Sequence, residues 1–293
     1  GLPIREIGGM VMAILTISRQ FGGGARAIAL QVARDLGYEY VDRSTMFKDI
    51  SSEGPRWGTY AKDFDEHYPN VWERNDWSFK AFVALIQNLM YGYAQRDKVI
   101  IAGTGATFLL KGVPHVLRVR IESSMEDRIN RVQGDQVINE STARWIIDKV
   151  DADMSRSMYV IYGKEWDDPK EFDSVFNSST QTQDEIVEEI KKGLAAKEAL
   201  RTKEALDILN LRAIASKVKA AILTDPSFTV SYLDVSPKEE GMPRYGLIVR
   251  GFVHEMDDTQ SIKEKVRSIA GDLPLEFDVQ YQMLPRFGHF DFR

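Results

Sequence analysis

Three consecutive glycines between two arginines are the residues of this chain whose types and spacing are best suited to chemistry. The glycines are Gly22, Gly23 and Gly24, and the arginines are Arg19 and Arg26. A glycine turn leaves backbone N–H groups unpaired, and arginine carries a fixed charge on a planar fork that suits phosphate oxygens. The pattern therefore predicts an anion site. The alternative is a turn whose glycines only let a helix pack closely on a strand.

The segments on either side of the glycines predict a strand and a helix. Residues 12–17 are a short apolar run, which is typical of one buried strand. After the glycines, apolar residues recur at the spacing of an amphipathic helix, namely at Ala25, Ile28, Ala29, Val32, Ala33 and Leu36. We therefore expect a strand-to-helix turn, where the positive end of the helix dipole favours an anion.

The loop departs from the usual phosphate-loop pattern, G-x-x-x-x-G-K-S/T. In such loops the lysine contacts the β- and γ-phosphates and the hydroxyl residue holds magnesium. When Gly24 is taken as the last glycine, Ala25 replaces the lysine, and Arg26 or Ala27 replaces the hydroxyl residue. Arg19 and Arg26 are therefore expected to supply the charge that the absent lysine does not.

Strands and helices are expected to alternate up to about residue 196. We predict strands at residues 12–17, 38–41, 99–102, 116–121 and 172–177. A long helix is predicted at residues 78–95, between the second and third strands. This alternation is typical of an α/β fold in which helices cover both faces of a parallel sheet.

Three polar segments are expected to meet at one edge of this sheet. Residues 18–26, 42–43 and 103–106 each follow a predicted strand directly. Ligands of parallel sheets bind at the carboxyl ends of the strands. The three segments therefore predict a single site.

Several motifs in order resemble those of the cytidylate kinase-like family, P-loop relatives of the nucleoside monophosphate kinases. They lie at residues 17–29, 36–42, 99–106, 116–121, 166–169 (W-D-D-P) and 172–179 (F-D-S-V-F-N-S-S). The resemblance covers roughly residues 12–195. It implies a P-loop kinase-like parallel five-stranded sheet flanked by helices. It also implies transfer of a phosphoryl group from ATP, with Mg²⁺, to CMP, dCMP or a related small substrate.

The resemblance further implies roles for individual residues. Contacts to the donor phosphates are expected from Ser18, Arg19, Gly22, Gly23, Gly24 and Arg26. Catalytic charge is expected from Arg26, Arg131 and Arg156, and Asp153-x-x-Arg156 matches the D-x-x-R lid pattern of the family. Substrate contacts are expected from Asp42, Arg43, Gly103, Thr104 and Gly105, and no metal-ligating set is predicted. The alternative for the helical arginines is a solvated helix face.

Two departures from the family pattern weigh against catalysis. The family places an arginine and an aspartate after the third strand, where they meet the acceptor nucleotide, but this chain has Thr104 and Gly105. In the loop, Ala25 and Ala27 provide neither the lysine nor the hydroxyl. Losing one transition-state donor can lower the rate on the order of a hundredfold to a thousandfold. A catalytically inactive, kinase-fold regulator or scaffold is therefore the alternative function.

The chain after residue 196 is predicted to form a second, smaller unit. Residues 11–196 would be the kinase-like part and residues 197–205 a charged helical connector. The order of helix, hairpin, helix and strand over residues 206–293 resembles a BON domain, a small α+β module associated with binding membranes or other ligands. This weaker resemblance implies a protein or lipid partner for the second unit.

Composition narrows the classes of partner. The 293 residues carry a net charge of −6, which disfavours a general nucleic-acid binder, so we expect a small phosphorylated ligand and no nucleic acid. The absence of cysteine excludes disulfides and thiolate metal sites. No apolar run is long enough to span a bilayer, and residues 10–17 lack the basic flank and cleavage site of a secretory leader, so we expect a cytoplasmic protein. The oligomeric state is left open.

Overall fold

Five parallel strands form the central sheet of the structure, a computed structural model that describes residues 11–66, 76–103, 105–135, 137–239 and 245–283. The strands are β1 (Ile14–Arg19), β2 (Glu39–Val41), β3 (Val99–Ala102), β4 (Val116–Glu122) and β5 (Ser174–Asn177). They lie in the order β2-β3-β1-β4-β5, and every neighbouring pair is parallel. This confirms the predicted sheet. β1 and β3 read as apolar runs because both of their faces are buried.

Helices cover both faces of the sheet. In this part of the chain they are α1 (Ala25–Leu36), α2 (Arg43–Ser52), α3 (Pro55–Glu66), α4 (Trp77–Ala94), α5 (Ala106–Leu109), α6 (Met125–Asp135), α7 (Glu140–Tyr162) and α8 (Gln183–Glu198). A 3₁₀ helix spans Pro169–Glu171. Apolar side chains of α1 and α8 cover one face, and those of α2, α3 and α4 cover the other. None of the helices among the described residues is long and apolar enough to cross a bilayer.

Capping residues set where α4 and α8 begin. Asp76 caps α4, since its carboxylate accepts a hydrogen bond from the Phe79 N–H at 2.8 Å. Thr182 forms a capping box with Glu185 at the start of α8. The Glu185 N–H donates to Thr182 Oγ1 at 3.3 Å, and the Thr182 N–H donates to Glu185 Oε2 at 2.8 Å.

The end of the described chain adds a separate three-stranded sheet with its own helices. Its elements are α9 (Lys203–Leu223), β6 (Val230–Lys238), β7 (Gly246–Val253), α10 (Asp258–Ala270) and β8 (Leu275–Tyr281). The strands lie in the order β6-β7-β8, in which β6 and β7 are antiparallel and β7 and β8 are parallel. This is the predicted order of helices and strands.

The two sheets share one apolar core. A single buried cluster runs from the α4 side of the parallel sheet through α9 into the three-stranded sheet. Polar contacts also cross this junction, because the Trp77 indole N–H donates to the Leu223 carbonyl at 3.1 Å and Arg212 donates to the Lys111 carbonyl at 2.6 Å. The domain boundary at residues 197–205 stays a prediction, and any division there leaves this shared core across it.

A buried histidine lies directly before β4. His115 has no exposed surface, and neither of its ring nitrogens has a hydrogen-bond partner among the described residues. Burial lowers the pKa of His115, because a charged imidazole would lose its hydration there. Folding therefore favours the neutral form of this ring.

We expect the free energy of unfolding to fall as pH is lowered from about 7 to about 5. Unfolded His115 takes up a proton near its ordinary pKa of about 6.5, whereas folded His115 resists protonation to lower pH. The unfolded state then binds more protons, so acid favours unfolding. Urea denaturation across this range measures the effect. His115→Leu should reduce the dependence of the unfolding free energy on pH, whereas His254→Leu, at a partly exposed position, should leave it unchanged. The same pH dependence in wild type and His115→Leu would contradict the prediction.

Candidate functional site

The glycine loop joins β1 to α1 and has the backbone geometry of an anion site. Gly22 and Gly24 have positive φ angles of 74° and 79°, which glycine adopts at little cost. A Cβ at Gly22 would also lie 3.2 Å from the Arg128 carbonyl oxygen. Gly24 is the N-cap of α1 and supplies no side-chain hydrogen bond, so the first N–H groups of this helix are left without a side-chain cap.

Two arginines and a serine hold the carbonyl groups of this loop. Arg128 Nε donates to the Phe21 carbonyl at 2.8 Å, and Arg131 Nη1 donates to the Gly22 carbonyl at 3.1 Å. Ser178 Oγ donates to the Gly23 carbonyl at 2.9 Å. With its carbonyl groups bound in this way, the loop has its shape fixed by α6 and by the residues after β5. The predicted residue Arg131 is thereby placed against the loop.

An aspartate on α7 occupies one of the N–H donors of the loop. The Phe21 N–H donates to Asp151 Oδ1 at 3.0 Å, and the other carboxylate oxygen of Asp151 forms an ion pair with the buried Arg128. The loop therefore binds a carboxylate of the protein itself. This contact agrees with the anion-binding character that the glycines predict, because a negatively charged group of the protein occupies an N–H donor of the loop.

Asp151 is the residue that the sequence pattern missed. The D-x-x-R match points to Asp153 and Arg156, which lie 3.3 Å apart on α7, with the Arg156 side chain 48% exposed. The signal available in the sequence was the pair of aspartates at 151 and 153. Positions two apart on a helix face different directions, so only one of them turns toward the loop.

A cavity of about 270 Å³ adjoins the loop at the carboxyl ends of β1 and β3. Five of the predicted site residues line it, namely Ser18, Arg19, Arg43, Gly103 and Gly105. Asp151 also lines it, and α5, α7 and the W-D-D-P segment add an apolar wall of Phe108, Val150, Met154, Met158 and Trp166. The convergence of segments predicted from the strand ends thus produces a real cavity with cationic and apolar walls.

The remaining predicted residues lie around this cavity or outside the described chain. Arg26 is 71% exposed, and its Nη1 lies 3.8 Å from Asp42 Oδ2. Asp42 caps α2 by accepting from the Thr45 N–H at 3.1 Å. Thr104 lies outside the described residues. Arg26 is therefore an exposed cation next to the loop, paired with the partly buried Asp42.

The wall at Trp166 is held by an arginine that is almost fully buried. Arg120 is 1% exposed and lies over the rings of Trp166 and Phe172, 4.7 Å and 5.6 Å from their centroids. Its Nε donates to Glu122 at 2.7 Å, and its Nη1 donates to the Trp166 carbonyl at 3.1 Å. Arg120 therefore ties the W-D-D-P segment to the end of β4 and positions one side of the cavity.

Gly105 forms the cavity wall where the family pattern has a polar residue. Its φ is 82°, and a Cβ at this position would lie 2.1 Å from the Tyr162 ring. Burial raises the pKa of Tyr162, so this phenol stays neutral at ordinary pH. The Tyr162 ring also contacts Phe108, with 5.6 Å between their centroids. At this position a glycine is needed because the tyrosine ring fills the space of a side chain.

Metal-ligating side chains are not grouped in the described part of the chain. No set of three or more His, Cys, Asp or Glu side chains there is arranged to hold a metal ion. Asp42 is turned to Arg26 and its own helix, and Asp151 to the loop and Arg128. The described part of the site therefore has cations and backbone N–H groups, and the carboxylates of Asp42 and Asp151 contact other groups of the protein.

Comparison with solved structures finds likenesses in fold. An uncharacterized protein from Eubacterium ventriosum ATCC 27560 is 16% identical, covers 62% of this chain and 98% of its own, and has a TM-score of 0.51. Shikimate kinase from Bacteroides thetaiotaomicron is 14% identical, with coverage of 62% and 98% and a TM-score of 0.40. Shikimate kinase from Acinetobacter baumannii is 13% identical, with coverage of 64% and 95% and a TM-score of 0.38.

Comparison of the sequence with family models and curated proteins gives one family. No curated protein matches the chain. The model of the cytidylate kinase-like family matches residues 14–180, which is more than half of the chain and includes the loop, the cavity and α7. The match agrees with the glycine loop, the parallel sheet and the W-D-D-P segment described above. This chain therefore belongs to the cytidylate kinase-like family.

Proposed function

We propose that this chain binds ATP at its glycine loop and transfers a phosphoryl group to CMP, dCMP or a related small acceptor in the adjoining cavity. The observation that carries the proposal is the contact between the loop and Asp151. Its carboxylate accepts from the Phe21 N–H and pairs with Arg128. A phosphate oxygen in the same place would meet the same N–H and the same guanidinium.

The charges around the site suit phosphoryl transfer. This reaction depends mainly on positioning the phosphates and neutralising their charge. On the donor side, Arg131 lies 3.5 Å from the place of a Cβ at Gly24, and Arg26 lies beside the loop. Arg19, expected on the donor side, and Arg43, expected on the acceptor side, both line the cavity. Magnesium carried by ATP would add positive charge at the transferred group, and the loop lacks the hydroxyl that usually holds it.

A second candidate function is a nucleotide-responsive regulator without turnover. Asp151 already fills an N–H donor of the loop, and the candidate lid residue Arg156 pairs with Asp153. The core shared by the two sheets would connect a nucleotide site to the C-terminal elements, which we propose to be a BON-like unit with a protein or lipid partner. In that case nucleotide would bind and change the C-terminal elements without being consumed.

Calorimetric titration with ATP, CMP and dCMP, with and without Mg²⁺, separates the two functions when it is followed by a coupled phosphoryl-transfer assay. Arg26→Ala is expected to weaken ATP binding about tenfold to a hundredfold, the effect of losing a charge-assisted hydrogen bond. Arg34→Ala is the matched control, because Arg34 is exposed near the other end of α1. Arg34→Ala should bind ATP with the same affinity as the wild type.

The outcomes of the titration and the transfer assay distinguish a kinase from a regulator. Binding with turnover supports a kinase, and binding without turnover supports the regulator. If neither ATP nor the monophosphates bind, the loop is a structural turn and both proposals are wrong. Equal losses of ATP affinity in Arg26→Ala and Arg34→Ala would mean that Arg26 does not contribute to ATP binding. Liposome co-sedimentation of the full chain tests the lipid partner separately, and no sedimentation with vesicles of several compositions would exclude it.

A further inference from the structure

A second cavity of about 280 Å³ lies where the parallel-sheet part meets the three-stranded sheet. Its walls come from α4, the end of α7, α9 and β6. It shares no lining residue with the cavity at the glycine loop. Gln87 lines it and also hydrogen-bonds to Tyr162, the ring behind Gly105. The two cavities are therefore separate spaces with one side-chain contact between them.

Two lysines from different helices face this second cavity. Lys80 comes from α4 and Lys219 from α9. Within the described part of the chain, neither side-chain ammonium group forms an ion pair or a hydrogen bond. The nearby carboxylate of Asp234 accepts a hydrogen bond from Ser236 Oγ at 2.5 Å. Two ammonium groups near one carboxylate leave a net positive charge in a partly buried space, and an anion between them would be stabilised there.

The electrostatic environment of Lys219 agrees with this description. Burial is the largest influence and lowers the pKa of Lys219, Asp234 raises it, and Lys80 lowers it further. The ammonium of Lys219 is thus short of compensating charge. A bound anion would supply negative charge and raise the pKa of Lys219.

The other walls of the cavity are aromatic and apolar. Trp77 is held in place because its indole N–H donates to the Leu223 carbonyl at 3.1 Å, which leaves the ring surface available for packing. Tyr232 and Val83 add further surface for a flat or apolar group. The cavity therefore combines an anion-binding end with walls suited to a ring, which is typical of small-molecule sites.

We propose that this cavity binds a small phosphomonoester that carries a planar ring. The phosphate lies between Lys80 and Lys219, and the ring packs on Trp77 and Tyr232. A phosphomonoester is preferred to a monocarboxylate because its charge of nearly −2 at neutral pH matches two ammonium groups. This proposal is independent of the function proposed for the glycine loop, because no residue of that loop takes part.

Pyridoxal 5′-phosphate is the probe for this site, because it has a planar ring, a phosphomonoester and an aldehyde. The aldehyde condenses with a lysine amine, releasing water, and borohydride then reduces the imine to a stable amine that peptide mass spectrometry locates. We expect labelling of Lys219 or Lys80 in the full chain before the exposed Lys192 and Lys203. Among the described residues, no lysine lines the cavity at the glycine loop, so a label on Lys80 or Lys219 cannot come from a probe bound in that cavity.

Competition with an unreactive analogue and substitutions of the lysines test whether the labelling comes from this site. Pyridoxine 5′-phosphate, which lacks the aldehyde, should protect the two lysines, and pyridoxal without phosphate should show no preference for them. Lys80→Gln is expected to lower labelling of Lys219 about tenfold, the effect of losing one charge-assisted contact. Lys192→Gln, the exposed control, should leave it unchanged. Lys219→Arg keeps the charge but cannot form the imine, so Lys80 should then be labelled at the same probe concentration.

Two results would overturn the proposal. One is equal labelling of Lys219 and the exposed lysines without protection by pyridoxine 5′-phosphate. The other is unchanged Lys219 labelling in Lys80→Gln. Melting temperature is a second readout that needs no covalent step. Pyridoxine 5′-phosphate should raise it for the wild type and for Lys192→Gln, and much less for Lys80→Gln and Lys219→Gln.

Discussion

Asp151→Asn is expected to lower the free energy of unfolding by about 3 kcal/mol in phosphate-free buffer, and inorganic phosphate is expected to restore much of that loss. The substitution keeps the shape of the side chain but leaves the buried Arg128 without its carboxylate partner. Removing one partner of a buried ion pair typically costs about 3–5 kcal/mol, and the partial exposure of Asp151 favours the lower end. A phosphate at the loop would supply the missing negative charge.

Chemical denaturation of the variant with increasing inorganic phosphate measures both effects. Phosphate at about 100 times its Kd stabilises a folded protein by about 2.7 kcal/mol. Asp153→Asn is the matched control, because Asp153 lies on the same helix and pairs with the half-exposed Arg156. Its loss should be no more than about 1 kcal/mol.

The contact of Asp151 with the loop and Arg128 and the binding of phosphate at the loop are tested separately. Equal losses in the two variants would mean that Asp151 is not bound to the loop and Arg128. A large loss in Asp151→Asn that phosphate does not reduce would keep the ion pair but show that the loop does not bind phosphate. In that case the proposed nucleotide site would also be wrong.

Gly105→Ala is expected to lower the free energy of unfolding by about 3 kcal/mol and to distort the cavity. The φ of 82° strains any residue other than glycine, at a cost of about 1–2 kcal/mol. A Cβ would also lie 2.1 Å from the Tyr162 ring, so the ring must move, and overpacking of this kind costs about 1–3 kcal/mol more. Since Tyr162 packs on Phe108, its movement would reach a wall of the cavity.

Gly163→Ala is the control that isolates the ring contact. Gly163 has a φ of 63°, and a Cβ there would meet no atom within 4 Å. This variant should therefore lose only the backbone part, about 1 kcal/mol. Urea denaturation of both variants measures the difference between their losses of unfolding free energy. Equal losses would mean that the Tyr162 ring does not confine Gly105. If the ring does confine it, the double variant Gly105→Ala, Tyr162→Leu should recover part of the unfolding free energy that Gly105→Ala loses.

The parallel-sheet fold was predictable from the sequence because its signals are local. Buried parallel strands are continuous apolar runs, the helix after the loop repeats every three to four residues, and the Thr182 capping box lies within four residues. The glycine loop likewise reads as an anion site from neighbouring residues. The family match over residues 14–180 agrees with the motifs that carried the resemblance.

The sequence by itself therefore determined the order of elements, the sheet edge where the site lies and five of the residues that line its cavity. Only the tertiary structure decided which residues complete the two cavities, because those contacts join distant parts of the chain. Asp151 accepts a hydrogen bond from Phe21, 130 residues away in the sequence. Because positions two apart on α7 face different directions, Asp151 and not Asp153 reaches the loop. Tyr162 meets Gly105, and Lys80 and Lys219 line the same cavity, for the same reason. Helix packing brings these side chains together, and no local spacing records that contact.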